Sequence, residues 1–309
     1  MNDEKHYNTL SAYYKQKYNS KVCKISLNAG FSCPNKDGSK GFGGCSYCSK
    51  SGSGDFAGNR YEPLEIQFNK IKAIMTKKWP DAYFIPYLQA NSNTYKPLNE
   101  LKKIYEPLLT IDPKVIGISI ATRCDCLEDD KIEYLAELNK IKPIQIELGL
   151  QTIHEKTALL INRGHTLDEF SQCVKKLREK NIEVVVHIIN GLPYETKEMM
   201  IETAKYLNTL DIQGVKIHSL LVLEGTKMGE DYKKNPFPIL TLNEYRDIVI
   251  MQIRNLNPNI IIHRLAADGV INDLIAPKWT IKKMVVMNEI DKEMRKLNAW
   301  QGDYILGNS

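Results

Sequence analysis

Cys33, Cys45 and Cys48 stand within the segment NAGFSCPNKDGSKGFGGCSYC in a C-x11-C-x2-C arrangement. A C-x2-C pair can bring two sulfurs to one metal centre, and Gly41, Gly43 and Gly44 let the backbone wrap closely around it. Zinc suits this spacing, but a closed zinc site needs a fourth ligand and no second C-x2-C pair follows. An iron–sulfur cubane held by three thiolates would instead leave one iron open to a substrate or cofactor. Three free thiols are the plain alternative.

Other residues with chemical potential lie at the ends of apolar runs. Glu147 shares a face with Gly149 and Gln151 if its strand is regular, and a buried carboxylate there needs a partner. Lys216 and His218 alternate onto one face of their strand, inward if Val215 and Ile217 face out. His187 and Asn190 lead into a Gly-Leu-Pro turn. Each histidine reads equally as a hydrogen-bonded core residue or as a site group on a barrel rim. Cys124 and Cys126 form a C-x-C that could hold a second metal or donate hydrogen, with inert thiols the plainer reading. Cys23 and Cys173 read as packing residues.

These residues need a scaffold, and β-branched runs alternating with amphipathic segments point to βα units around a parallel sheet. Strands are expected at 22–27, 83–87, 115–121, 144–150, 183–189 and 215–221, enough for a partial barrel. Leu64, Phe68, Ile71 and Met75 recur at helical spacing and predict a helix with one buried stripe. Thr166 followed by Glu169 is a capping box that should start a helix running to about Lys180. The first two strand starts are about 60 residues apart, against about 30 to 40 for the rest, so 28–60 is an inserted loop that carries the three cysteines. The expected division is an N-terminal segment 1–21, a barrel 22–225 and an α/β extension 226–309. The extension should hold a strand at 260–264 and helices at 241–256 and 279–296.

With 43% hydrophobic and 26% charged residues, the 309-residue chain has the composition of a globular protein and not of a disordered one. No apolar run reaches the roughly 18 to 20 residues of a membrane span, and MNDEKHYNTL lacks the apolar stretch of a signal peptide. A cytoplasmic protein with no membrane partner is expected. Seven cysteines, an odd number, favour thiol or metal chemistry over a disulfide framework. The net charge of +5 permits a polyanionic partner without requiring one.

The stretches NAGFSCPNKDG, GGCSYC, ELGLQT, NRGHT, GLPYET, GVKIHSLLVLEGT and APKW occur in this order. With them the sequence resembles the radical S-adenosylmethionine enzymes, in the branch of the Elongator catalytic subunit and oxygen-independent coproporphyrinogen oxidase, and within it the YtqA/MnmL-type family. The resemblance implies a partial (β/α)6 TIM-like barrel with a C-terminal extension. It also implies a [4Fe-4S] cluster on Cys33, Cys45 and Cys48, and S-adenosyl-L-methionine bound to its open iron. Tyr47 would pack near the adenine. Asn91 and Ser92 occupy the methionine-binding turn, where the coproporphyrinogen enzymes carry glycine and threonine. Gln151 matches a ribose-binding glutamine and Arg163 a carboxylate-binding arginine, for which a guanidinium suits. His187 stands where those relatives have a ribose-binding aspartate, and Glu147 joins the cofactor-binding set.

Catalysis would then fall to His187, Lys216, His218 and Cys126. The implied reaction converts the carboxymethylaminomethyl side chain of a wobble uridine in tRNA to aminomethyl, with an electron donor such as flavodoxin or ferredoxin. Lys278, Lys282, Lys283, Lys292, Arg295 and Lys296 could approach phosphates. A radical enzyme acting on a small metabolite, and a zinc-binding RNA or protein adaptor, are the alternatives.

Overall fold

In a computed structural model that describes residues 5–52, 54–267 and 271–306, the β-branched runs pair as strands and the amphipathic segments cover them. Residues 1–4 of the expected N-terminal segment, and 268–270 and 307–309 of the expected extension, lie outside the described residues. The order is α1 (Leu10–Tyr18), β1 (Val22–Leu27), α2 (Leu64–Lys78), β2 (Tyr83–Leu88), α3 (Leu98–Thr110), β3 (Ile118–Thr122), α4 (Asp129–Ile141) and β4 (Ile144–Gln151). It continues with α5 (Glu155–Leu160), α6 (Leu167–Glu179), β5 (Glu183–Asn190), α7 (Lys197–Leu207), β6 (Gly214–Ser219) and β7 (Val222–Leu223). Last come α8 (Lys227–Lys234), α9 (Leu242–Asn255), β8 (Ile261–Arg264), β9 (Leu274–Ala276), α10 (Lys283–Lys296) and α11 (Asp303–Leu306).

Seven strands form one parallel sheet in the order β1-β2-β3-β4-β5-β6-β8, curled as a half barrel. Six were expected from the barrel region; the seventh, β8, comes from the C-terminal region, so the sheet runs on past residue 225. α1 packs on both β1 and β8, the two outer strands, and the amide of Ile262 donates to Asn8 O at 2.7 Å. β3 starts later than expected, at Ile118; Val115 is left as an isolated bridge to Phe84. Between them Gly117 passes Pro143 O so closely that a Cβ would lie 2.5 Å or less from it, at 2.4 Å.

Alternation along the strands separates two environments. In β4, Ile144, Ile146, Leu148 and Leu150 are fully buried in the main core under the helices, while Gln145, Glu147 and Gly149 face inward. β5 repeats this with Val184, Val186 and Ile188 in the core and His187 opposite. The inner face is therefore polar. Among the described residues no helix is long and apolar enough to cross a membrane.

The capping box forms as the sequence predicts: the amide of Glu169 donates to Thr166 Oγ1 at 3.1 Å, and the amide of Thr166 to Glu169 Oε2 at 2.7 Å. Phe170, Val174 and Leu177 lie buried on the core side of α6. Thr166→Ala removes one of these bonds and is expected to cost about 1 kcal/mol, read as a lower urea midpoint at unchanged slope. A shift in slope would mean that the substitution alters more than the cap.

Candidate active site

The C-terminal ends of the strands open on a cavity of about 850 Å³. Cys33, Cys45, Tyr47, Cys48, Asn91, Ser92, Glu147, Gln151, Arg163, His187, Lys216 and His218 all line it. Residues as far apart in sequence as Cys33 and His218 thus meet in one space, with the cysteine loop at one wall and an ionic cluster at the floor.

Two segments grip the cysteine loop. On one side, the amide of Ser46 donates to Ile161 O at 2.9 Å, Asn35 Nδ2 to Asn162 O at 2.6 Å, and Asn162 Nδ2 to Gly44 O at 2.8 Å. Asn35 Nδ2 also lies 3.7 Å from Cys45 Sγ. On the other side, the amide of Asn91 donates to Gly52 O at 2.9 Å, the amide of Ser92 to Ser32 O at 3.1 Å and Asn91 Nδ2 to Phe31 O at 3.1 Å. Gly43 and Gly44 sit at φ 80° and 81°, a region that glycine enters without penalty, so the loop turns sharply just before Cys45.

The residues present fit an iron–sulfur cluster with a polar cofactor beside it. The three thiols face one cavity. Three thiolates suit a cubane that keeps one iron open, whereas a closed zinc site needs a fourth ligand. Ser92 is buried in the lining of the cavity, with its hydroxyl next to the Cys126 thiol. Burial pushes the Cys45 thiol up, against the attraction of Arg123, so a metal is what would hold it as thiolate.

At the floor, Glu147 is fully buried and shared. Its Oε1 accepts from Lys24 Nζ at 2.5 Å and Ser119 Oγ at 2.9 Å; its Oε2 accepts from His187 Nε2 at 2.8 Å and from Lys216 Nζ. Burial alone would raise its carboxyl, but Lys216, Lys24 and His187 hold it well below the carboxylate range. Burial, reinforced by Lys24 and Arg264, lowers Lys216 to about 7 despite Glu147. His187 falls to about 4, through burial and then Lys216. A neutral His187 beside a charged Glu147 must carry its proton on Nε2, which leaves Nδ1 as the acceptor of the ring.

Several of the expected site residues are engaged by the protein itself. Arg163 has its donors occupied: Nε on His165 O at 2.9 Å, Nη1 on Leu150 O at 3.0 Å and Thr152 O at 2.6 Å, and Nη2 on Glu155 at 3.2 Å. It braces the end of β4, and its carboxylate partner is Glu155. Asn91 likewise spends its side chain on Phe31 O and Lys36. Cys126 does not line the cavity: it is 1% exposed, with a thiol that burial pushes up to about 12, and its carbonyl accepts from Thr94. The strand carrying Glu147 and Gln151 is not regular to its end. Its register with β5 slips between Gly149 and Gln151, and Gln151 takes φ 67°. A Cβ on Gly149 would meet Gln151 Nε2 at 2.5 Å, so the glycine makes room for a side chain aimed at the cavity; left-handed backbone in a non-glycine residue often marks a functional site.

Three contributors escaped the sequence reading. Asn35 and Arg123 support the cysteine loop, Arg123 by pairing both Asp125 oxygens at 2.8 Å while donating to Arg163 O at 2.7 Å. Lys24 enters from β1. Tyr47 packs its ring against the smaller apolar cluster of Ile161, Ile189, Leu192 and Leu220 while it lines the cavity.

Comparison with known proteins sets this geometry in context. Residues 38–207 match the Radical SAM superfamily and 212–296 the Radical_SAM C-terminal domain. The chain is 46% identical to YtqA of Bacillus subtilis (strain 168) over 98% of its own length and 94% of the relative's. It is 29% identical to the tRNA uridine(34) acetyltransferase of Methanocaldococcus infernus over 48% of this chain and 27% of that one. Among solved structures, the archaeal Methanocaldococcus infernus Elp3 with an N-terminal deletion aligns at a TM-score of 0.68 and 16% identity, over 91% of this chain and 64% of that chain, a likeness of fold.

Proposed function

The chain belongs to the radical SAM superfamily, whose enzymes use a [4Fe-4S] cluster and S-adenosylmethionine, and from that premise we propose that it converts the carboxymethylaminomethyl side chain of a tRNA wobble uridine to aminomethyl. The observation that carries this reading is the single cavity, which sets the cysteine loop opposite a cation-rich floor and has room for more than one ligand group. An RNA base would have to leave its stack to enter. The similarity to tRNA uridine(34) acetyltransferase over 48% of the chain supports the choice of RNA.

In this reading Cys33, Cys45 and Cys48 hold the cluster, with Ser92, Gln151 and Tyr47 facing the nucleoside cofactor. When bound, the pair would supply a carbon radical able to take a hydrogen atom from the carboxymethyl carbon; loss of one electron to an acceptor and addition of one water would then release the two-carbon unit as glyoxylate and leave the aminomethyl group. The protein positions and shields. Strand walls keep bulk solvent from the reacting carbon, and Glu147 fixes the His187 tautomer so that Nδ1 can accept a proton or hydrogen bond from the side-chain amine. Lys282, Lys292 and Arg295 on or beside α10 are exposed and Lys283 lines the cavity, so phosphates can approach from that side. Lys278 and Lys296 bond to Leu274 O and Glu293. The proposed partners are tRNA and an electron carrier such as flavodoxin or ferredoxin.

The test compares nucleosides of total tRNA from cells with and without the gene. Loss of aminomethyl derivatives with a matching gain of the carboxymethylaminomethyl form is expected. An unchanged wobble-uridine profile removes the assignment.

A further inference from the structure

We propose that Phe56, Arg60 and Tyr61, on the segment that follows the cysteine loop, form a platform beside the cavity mouth on which unpaired RNA bases stack. The proposal rests on the tRNA reading above, and it adds where the nucleotides next to the modified one are held.

The segment is anchored from below. The amide of Gly58 donates to Ser26 O at 3.1 Å, which ties it to the C-terminal end of β1, where Ser26 lines the cavity. Gln67 on α2 is 1% exposed and holds the rest. Its Oε1 accepts from the Asn28 amide at 2.9 Å, and its Nε2 lies 2.8 Å from Glu62 O, 2.9 Å from Asn59 O and 3.0 Å from Asn28 O. A second bond, from the Tyr61 amide to Asn59 Oδ1 at 3.1 Å, fixes the turn that presents Arg60 and Tyr61. One buried side chain thus sets the backbone that carries three large exposed groups.

Phe56 lines the cavity and is 57% exposed, so its ring belongs to the rim. Tyr61 is 86% exposed, and the exposed Arg60 guanidinium lies 5.7 Å from its ring centroid, within reach of a cation–π contact. Arg123, Arg163, Arg178, Arg246 and Arg254 each pair with a carboxylate. Arg60 pairs with none among the described residues, and the neighbouring Glu62 is taken by Lys70 at 2.6 Å. An apolar protein surface laid on these rings would strip water from the guanidinium and give it no anion. Single-stranded RNA serves both, with bases on the rings and a phosphate against Arg60. The cavity points the same way: a base that leaves its stack to enter passes Phe56, and the bases beside it lose a stacking partner that the exposed rings replace.

The test uses cluster-loaded protein and two RNAs, an anticodon stem–loop and a blunt duplex of the same length, with Kd read by fluorescence anisotropy over a series of salt concentrations. Phe56→Ala and Tyr61→Ala are each expected to weaken stem–loop binding roughly fivefold or more, with duplex binding and the salt slope unchanged, and Tyr61→Trp should keep the affinity. Arg60→Gln should weaken binding and reduce the salt slope by about one. Iron content and melting temperature report whether each variant is folded. Unchanged stem–loop affinity in folded Phe56→Ala and Tyr61→Ala, or an equal loss on the duplex, overturns the platform and leaves the wobble-uridine reading standing on its own nucleoside comparison. A loss confined to the stem–loop supports the platform even where that comparison removes the reaction. If wild type binds neither RNA, the platform and the tRNA reading both fall.

Discussion

Cys45→Ala should strip the protein of its cluster: anaerobic reconstitution that gives about four irons per wild-type chain should give under about one, and formation of 5′-deoxyadenosine on reduction should fall below detection. Two thiolates rarely hold a cubane. The position of Cys45 is set from both sides, by the bond from Ser46 to Ile161 O and by Asn35 lying against its sulfur. No nearby thiol replaces it, since Cys126 and Cys124 are buried outside the cavity and Cys23 is in the main core. Cys126→Ala is the matched control and should keep its iron. A Cys45→Ala protein with full iron content would refute the ligand set.

The proposed ligand set rests on a local signal. Three cysteines and their glycines lie in one loop, and spacing alone says that the backbone can wrap a metal. The supports are long-range. Asn35 bonds to Asn162 O, 127 residues away, and a lone asparagine after Cys-Pro carries no sign of that partner. The NRGHT stretch, which resemblance assigned to a ligand carboxylate, is largely committed to the protein: Ile161 O and Asn162 hold the loop while Arg163 braces β4. Motif matching identified the segment, but only the donor-by-donor geometry shows where its guanidinium is spent.

The same distinction governs the fold. Alternation of β-branched residues located the strands of β4 and β5 nearly to the residue, because one face of each is continuous core. The run at 260–264 was readable as a strand, but its place beside β6 depends on pairing that no local pattern encodes. Lys24 was missed for a related reason. A lysine between Cys23 and Ile25 reads as the solvent side of a strand, whereas curling of the sheet turns that side inward to Glu147.

Glu147→Gln should therefore destabilise the fold by about 3 to 5 kcal/mol, the cost of breaking a buried ion pair and leaving its cations without a counter-charge. The amide keeps the shape and one acceptor, so loss of charge dominates. pH gives the variant a signature. The folded carboxyl of Glu147 lies below its unfolded value, so its contribution is present above the ordinary glutamate range near 4.3 and disappears as pH falls through the folded value. The gap between wild type and variant should hold at neutral pH and narrow in acid. Lys216 acts in the opposite sense: with a folded value near 7 against about 10.4 unfolded, it costs stability below 7, and that cost is relieved as pH rises between the two values. Adding Lys216→Met to Glu147→Gln should recover part of the loss, because the orphaned cation is removed with its partner. Urea titrations of the four proteins across pH measure all of this, and a loss under about 1 kcal/mol in Glu147→Gln at neutral pH would show that the ionic floor does not hold the barrel together.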